Sequence, residues 1–235
     1  MLAALKRISS EVADALMPRL CPVCGQTLPA QVRHICPSCM AELPLTLMHL
    51  REFNAMEQLF AGKTPVERAA GYFYYDRESR YAAILHSIKY HNNPQLGRWL
   101  AARFAADLAA SGFFEGIDLI VPVPLHFTKL ASRGYNQSEH IARGMAQVAG
   151  LPVRKWLTAN EPHSTQTRKG VHERLLNTQG IFKATHAGEM AGKHVLIVDD
   201  VVTTGATLLS CAQAVRDAAA DVKISLATLA VARLS

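Results

Sequence analysis

Residues 195–207 read VLIVDDVVTTGAT, and this stretch decides the fold. Four apolar residues lead into an acidic pair, Asp199 and Asp200, and two more apolar residues precede a Thr-Thr-Gly turn. A short apolar run bounded by turn residues predicts a buried strand of a parallel sheet, and residues 206–219 predict a helix after it. Ligands of open α/β sheets bind at the carboxyl ends of the strands, so the stretch also predicts a binding site.

The residues at the end of this strand suit a ribose phosphate. The carboxylates of Asp199 and Asp200 can accept hydrogen bonds from ribose hydroxyls, and the N–H groups at a helix N-terminus favour phosphate. The predicted 5′-phosphate site comprises the turn and the start of the helix, Thr203, Thr204, Gly205, Ala206 and Thr207. The alternative is a Rossmann-like strand whose acidic end is only solvated.

Composition and charge limit the class of protein. At 235 residues the chain is long enough for one large domain, or for one domain with a small appendage. No apolar stretch reaches the ~18 to 20 residues that span a bilayer, and the N-terminus does not have the order of a signal peptide, which predicts a cytoplasmic protein with no integral membrane span. The net charge is +6, and residues 121–180 hold eight Lys and Arg against three Asp and Glu. This basic segment indicates a polyanionic partner, unless it is a solvated face.

Four of the five cysteines form two C-x-x-C pairs separated by eleven residues, Cys21, Cys24, Cys36 and Cys39. Four thiolates at this spacing predict a closed tetrahedral Zn²⁺ site, since a reducing compartment disfavours the alternative of two disulfides. Such a zinc ribbon either stabilises a segment that lacks its own hydrophobic core or contacts nucleic acid.

The periodicity of the chain predicts three parts. Residues 1–44 predict an amphipathic helix and the zinc ribbon, residues 45–115 a helical or hood segment, and residues 116–235 an α/β core. Alternating strands and helices from residue 118 onward predict a parallel sheet flanked by helices. Beside the stretch quoted above, we expect strands at 69–76, 118–125, 152–159, 180–185 and 221–233, and helices at 80–93, 96–110 and 136–150.

Two basic segments add to the predicted site. Residues 121–142 end a strand at two prolines, and a loop then carries Arg133 and Gly134 to the start of a helix, which predicts an anion site. An ordinary strand-to-helix connection with an exposed arginine is the alternative. Residues 160–178 predict a mobile loop that could close over a diphosphate, unless they form a disordered linker. Its cations are Arg168, Lys169 and Arg174.

Together these motifs resemble the ComF family of type I phosphoribosyltransferase-like proteins. The resemblance extends from about residue 21 to residue 234 and rests on the cysteine ribbon, the PVPL and RGYNQ segments at 122–125 and 133–137, the residues Gln166, Arg174 and Asn177, and the acidic-pair stretch. It implies a type I phosphoribosyltransferase-like fold and phosphoribosyl pyrophosphate as ligand, with Mg²⁺ held mainly by the diphosphate.

The resemblance also implies roles for particular residues and partners. Arg133 and Gly134 would meet the pyrophosphate, and single-stranded DNA and other competence proteins would be partners. One position departs from the family pattern, because many members have two consecutive glycines where this chain has Gly205 and Ala206.

Three functions stay open on the sequence. The chain could be a competence protein that binds phosphoribosyl pyrophosphate and contacts single-stranded DNA. It could be an active transferase, in which diphosphate leaves with Mg²⁺ and an unidentified base or amine attacks. It could instead be a non-catalytic regulator that senses the ligand. We identify no catalytic residue from the sequence.

Overall fold

The computed structural model describes residues 18–159 and 181–232, and a parallel sheet of four strands organises them. The strands are β1 (Ala69–Tyr75), β2 (Leu119–Pro122), β3 (Leu157–Ala159), β4 (Phe182–Ala184), β5 (His194–Val202) and β6 (Lys223–Ala232). The parallel sheet has the order β1-β6-β5-β2, while β3 and β4 form a separate antiparallel pair. The predicted α/β fold with a parallel sheet is therefore confirmed.

Helices flank this sheet, and the two inner strands are buried because their neighbours and these helices cover them. The helices are α1 (Pro37–Ala41), α2 (Ala55–Gln58), α3 (Ala82–Tyr90), α4 (Pro94–Ala110), α5 (Phe127–Arg133), α6 (Gln137–Ala149), α7 (Ala187–Met190) and α8 (Ala206–Ala218), with a 3-10 turn at Met48–Leu50. Within residues 18–159 and 181–232, no helix combines the length and the hydropathy that crossing a bilayer requires.

The segment predicted as a strand at 152–159 differs from the expectation. Only Leu157–Ala159 forms a strand, and it pairs with β4 outside the parallel sheet. Val153 makes a single parallel bridge to Ile120 at the edge of β2. Arg154 and Lys155 follow it and are exposed, and two consecutive cations cannot continue a strand that is covered on both faces.

Two further segments depart from the sequence-based expectation. The loop predicted between the prolines and Asn136 contains helix α5, which begins after His126, whose ring accepts from the Thr128 N–H, and ends at Gly134 with φ 81°. Within the predicted helical or hood segment 45–115, residues 45–68 hold only the 3-10 turn and α2 as helical structure. The strand predicted at 69–76 is confirmed as β1, and it joins β6 in the main sheet.

The cysteine ribbon packs directly on the α/β core. Cys21, Cys36 and Cys39 belong to the same buried cluster as the sheet residues. The Tyr81 hydroxyl, at the start of α3, donates to the Cys39 carbonyl at 3.4 Å. The ribbon is therefore fixed against the helix that leads to the carboxyl edge of the sheet.

Candidate functional site

The acidic pair lies inside β5, near its carboxyl end, and both side chains are buried. Asp199 Oδ1 accepts a hydrogen bond from the Ser138 hydroxyl at 2.8 Å and another from the Asp200 N–H at 2.8 Å. Ser138 stands in the first turn of α6, the helix predicted at 136–150, and Asn136 is its N-cap. The sheet and α6 thus hold the first carboxylate in a fixed orientation.

A lysine that sequence analysis did not place in the site pairs with the second carboxylate. Lys89 Nζ lies 3.2 Å from Asp200 Oδ2, and this oxygen makes no hydrogen bond to another side chain among the described residues. Lys89 belongs to the last turn of α3. The Lys-Tyr pair at residues 89 and 90 is the sequence feature that could have indicated this lysine. Its contact with Asp200 could not be predicted, because the two residues are 111 positions apart in the chain.

Burial changes the protonation of this pair. Burial raises the pKa of Asp199 to about 7, and the negative charge of Asp200 adds to the rise, while the hydrogen bond from Ser138 and the charge of Lys89 oppose it. The carboxyl group of Asp199 therefore titrates near neutral pH and can both accept and donate hydrogen bonds there. Ribose hydroxyls also accept and donate hydrogen bonds, so they are suitable partners for this carboxyl group.

The predicted phosphate turn follows the acidic pair directly. Gly205 is the N-cap of α8 at φ 77°, and a Cβ at this position would lie 3.2 Å from the Phe60 ring. Both the left-handed backbone conformation and the close contact favour glycine. The side chains of Thr203, Thr204 and Thr207 are exposed around it, so the start of α8 is open to a ligand.

Ala206, the departure from the double glycine, is the first residue of α8 and is half-buried. Its N–H lies 3.5 Å from Thr204 Oγ1. Alanine is the best helix former, so the position favours the start of the helix. The structure brings all five predicted turn residues to the same edge of the sheet as Asp199 and Asp200.

A cavity of about 570 Å³, here called the cationic cavity, opens beside the acidic pair. Lys89, Lys129 and Arg133 line it together with Tyr90 and Tyr135. The Arg133 guanidinium donates to the side chain of Gln137 and lies 5.5 Å from the centroid of the Tyr90 ring. The predicted pyrophosphate residue Arg133 therefore lines the same cavity as Lys89, which contacts Asp200 of the acidic pair.

Part of the predicted site lies outside the described residues. These positions are Arg168, Lys169 and Arg174, with Gln166 and Asn177 of the resemblance. Their role in binding a diphosphate stays a prediction, as does the N-terminal helix, which falls in residues 1–17.

The four predicted zinc ligands lie together. The Sγ atoms of Cys21, Cys24, Cys36 and Cys39 are all within 4.8 Å of one another, and Cys24 and Cys36 are 3.7 Å apart. Tetrahedral zinc with Zn–S bonds of ~2.3 Å separates its sulfurs by ~3.8 Å, so the cluster fits zinc. His34, a spare ligand by its position in the sequence, lies instead beside Trp99, with ring centroids 5.2 Å apart.

The thiols of this cluster ionise unequally without a metal. Burial alone would raise the pKa of Cys21, but hydrogen bonds from the N–H groups of Cys36, Cys24 and Val23 outweigh it and lower the pKa to about 7. Burial and the neighbouring sulfurs raise the pKa of Cys39. A bound Zn²⁺ would supply the charge that ionises all four thiols.

The acidic pair offers a poor set of direct ligands for Mg²⁺. Asp199 is engaged by Ser138 and Asp200 by Lys89, and both carboxylates are buried. Mg²⁺ prefers octahedral oxygen ligands and keeps several waters. The arrangement fits an ion that arrives with a diphosphate rather than one that the two carboxylates hold by themselves.

Comparisons with known proteins agree with this arrangement. The family model described as "Phosphoribosyl transferase domain" matches residues 97–234. The chain is 29% identical over 146 residues to the DNA utilization protein YhgH of Salmonella typhi, covering 60% of this chain and 63% of that protein. It is 32% identical over 94 residues to Competence protein F of Haemophilus influenzae, covering 39% and 41%. The chain thus spans less than two thirds of the length of these relatives.

Among solved structures, the chain is similar to the glutamine phosphoribosylpyrophosphate amidotransferase of B. subtilis. The TM-score is 0.37 and the sequence identity 22%, and the match covers 55% of this chain and 26% of that one.

Proposed function

The chain belongs to the phosphoribosyl transferase domain family, in its ComF group, and from this premise we propose that the carboxyl edge of its sheet binds phosphoribosyl pyrophosphate. The observation that carries the proposal is the contiguity of two buried carboxylates and an open helix N-terminus on one strand-turn-helix unit. Carboxylates suit the ribose hydroxyls, and helix N–H groups suit the 5′-phosphate.

Each part of the ligand has its own set of residues in this proposal. Asp199 and Asp200 bind the ribose hydroxyls, and the hydroxyls and N–H groups of the phosphate turn bind the 5′-phosphate. The phosphate turn comprises Thr203, Thr204, Gly205, Ala206 and Thr207. The diphosphate lies in the cationic cavity toward Arg133 and Gly134, and Mg²⁺ accompanies it. Arg168, Lys169 and Arg174 supply further cations.

We also propose that the protein acts in DNA utilisation or competence and contacts single-stranded DNA, with zinc as a structural ion. The names of the relatives and the excess of basic residues at 121–180 support this role. The cysteine cluster supports the structural zinc, because a site of four thiolates has no open position for chemistry.

Isothermal calorimetry with phosphoribosyl pyrophosphate and Mg²⁺ tests the central claim. The double variant Asp199→Asn with Asp200→Asn keeps the shape of both side chains and removes both charges. We expect it to weaken binding at least about tenfold, because hydrogen bonds to charged groups contribute about 1.5–3 kcal/mol each. The matched control is Asp217→Asn with Asp221→Asn, two exposed aspartates outside the site. Equal affinity of the wild type and the site variant would refute the assignment.

Diphosphate release separates an enzyme from a sensor. Protein that binds phosphoribosyl pyrophosphate is incubated with candidate bases and amines, and the diphosphate is quantified. Release that depends on the acceptor identifies a transferase. Binding without release under these conditions supports the regulator that senses its ligand.

A further inference from the structure

A second cavity, of about 810 Å³, lies between the zinc ribbon and helix α3. We call it the knuckle groove. Cys21 and Gly25 of the first cysteine pair line one side, His86 and Tyr90 of α3 the other, and Val201 and Thr203 close its end. Val201 directly follows Asp200 and Thr203 begins the phosphate turn, so the groove reaches the proposed ribose site.

The knuckle groove and the cationic cavity are adjacent. Lys89 and Tyr90 line both of them. Lys89 contacts Asp200 at 3.2 Å, and Tyr90 lies beside Arg133 on the cationic side. A ligand in the groove would therefore lie next to a ligand held at the acidic pair.

The groove holds two of the exposed large hydrophobic side chains among the described residues. Tyr90 is 66% exposed and Leu20 is 56% exposed, although both are large apolar side chains. The rings of His86 and Tyr90 have centroids 5.0 Å apart and are tilted by 46°, so they do not stack in parallel on each other. Bases of single strands stack on aromatic side chains that are exposed in this way.

The charge of the groove matches a polyanion. Arg77 and Lys89 line it, and no carboxylate does so among the residues that the structure describes. Asp76 and Glu78 flank Arg77 in the sequence but do not line the groove. Lys129 and Arg133 continue the positive charge into the cationic cavity. Cations thus line both cavities that contain Tyr90, which suits a strand with several phosphates.

We propose that the knuckle groove binds an unpaired base of single-stranded DNA, with neighbouring phosphates at Arg77 and along the cationic cavity. The proposal rests on the proposed function, because it seats the strand beside the phosphoribosyl pyrophosphate site. In this arrangement the zinc ribbon forms one side of the binding site. Its metal maintains the shape of the groove without touching the strand.

Fluorescence anisotropy with a short labelled oligothymidylate tests the proposal on the full-length, zinc-loaded protein. We expect Tyr90→Ala and Arg77→Gln each to weaken binding by about fivefold or more, since stacking and phosphate contacts are lost. Arg77→Gln should also reduce the slope of log K against log salt by about one. Phe53→Ala is the matched control for Tyr90→Ala, because Phe53 is also 66% exposed but lies outside both cavities. Arg51→Gln is the matched control for Arg77→Gln, because Arg51 is also an exposed arginine and does not line the groove.

Two further measurements make each outcome decisive. Ultraviolet cross-linking of wild-type protein to a strand containing 5-iododeoxyuridine should label the peptide that carries His86 and Tyr90, whether or not a variant folds. Unchanged affinity in both groove variants, cross-links confined to other segments, or binding of free thymidine without binding of the strand would overturn the proposal. Calorimetry with phosphoribosyl pyrophosphate on the wild type separates the two claims. If the wild type binds phosphoribosyl pyrophosphate and one of these contrary results is found, only the groove proposal is refuted. If the wild type does not bind phosphoribosyl pyrophosphate, the proposed function is refuted.

Discussion

Lys89 Nζ lies 3.2 Å from Asp200 Oδ2 and joins the end of helix α3 to the carboxyl edge of the sheet. The carboxylate is buried, while the lysine side chain is about one-fifth exposed, in the wall that the cationic cavity and the knuckle groove share. The pair connects the ribbon-bearing part of the molecule to the proposed ribose site. It also holds a cation where a diphosphate would need one.

Removing the lysine should destabilise the protein. In Lys89→Met, Asp200 is left buried without its counter-ion. Breaking a buried pair in this way costs about 3–5 kcal/mol, and we expect the lower end of that range because the lysine is partly exposed. Urea denaturation measures the loss in the free energy of unfolding. The double variant Lys89→Met with Asp200→Asn should recover part of it, because the uncompensated charge is gone. Additive losses in the double variant would show that the two groups do not interact.

The pKa of Asp199 predicts a pH dependence of stability. Because burial raises this pKa to about 7, the folded state binds more protons than the unfolded state between about pH 4 and pH 7. The contribution of Asp199 to the free energy of unfolding therefore falls as pH rises through this window, by up to about 1.4 kcal/mol per pH unit. Asp199→Asn should remove this contribution.

Histidines with a lowered pKa act in the opposite direction over part of the same window. Burial lowers the pKa of four described histidines, His34, His49, His140 and His194. The measured quantity is therefore the difference between wild type and Asp199→Asn in urea denaturation from pH 5 to pH 7.5. This difference should shift in favour of the variant as pH rises, and a difference that is constant with pH would contradict the raised pKa.

The phosphate turn should not tolerate a side chain at residue 205. In Gly205→Ala the Cβ would meet the Phe60 ring at 3.2 Å, and the φ of 77° is strained for alanine. Gly62→Ala is a matched control, because Gly62 has φ 72° and open space around the added carbon. Both variants should lose about 1 kcal/mol from backbone strain, and Gly205→Ala should lose more. Calorimetry should show that only Gly205→Ala also weakens the phosphoribosyl pyrophosphate complex.

Zinc content should depend on the ribbon cysteines alone. Purified protein should hold about one zinc per chain, and Cys36→Ser should lower both that value and the melting temperature, because the closed four-thiolate site loses a ligand. Cys211→Ala is the control, since Cys211 is buried in α8 away from the cluster. Plasma mass spectrometry gives the metal content. Equal zinc in wild type and Cys36→Ser would contradict the site.

Several features of the site were predictable because they are local. The strand-turn-helix unit of the acidic pair, the N-cap at Asn136 and the spacing of the cysteines each lie within a short stretch, and the structure contains all three. Helix α5 was missed because its signals, a histidine N-cap and a terminal glycine, are weak beside two prolines. The strand expected at 152–159 was shortened because neighbouring exposed charges outweighed its apolar residues.

Local sequence was enough to predict the α/β class, the sheet edge that carries Asp199 and Asp200, and the grouping of the four cysteines, because each depends on neighbours along the chain. Three other features depend on the folded arrangement: Lys89 pairs with Asp200, Ser138 orients Asp199, and the ribbon faces α3 across a groove. These contacts join residues far apart in the chain. Packing of the helices on the sheet selects them, and no short-range periodicity encodes that packing.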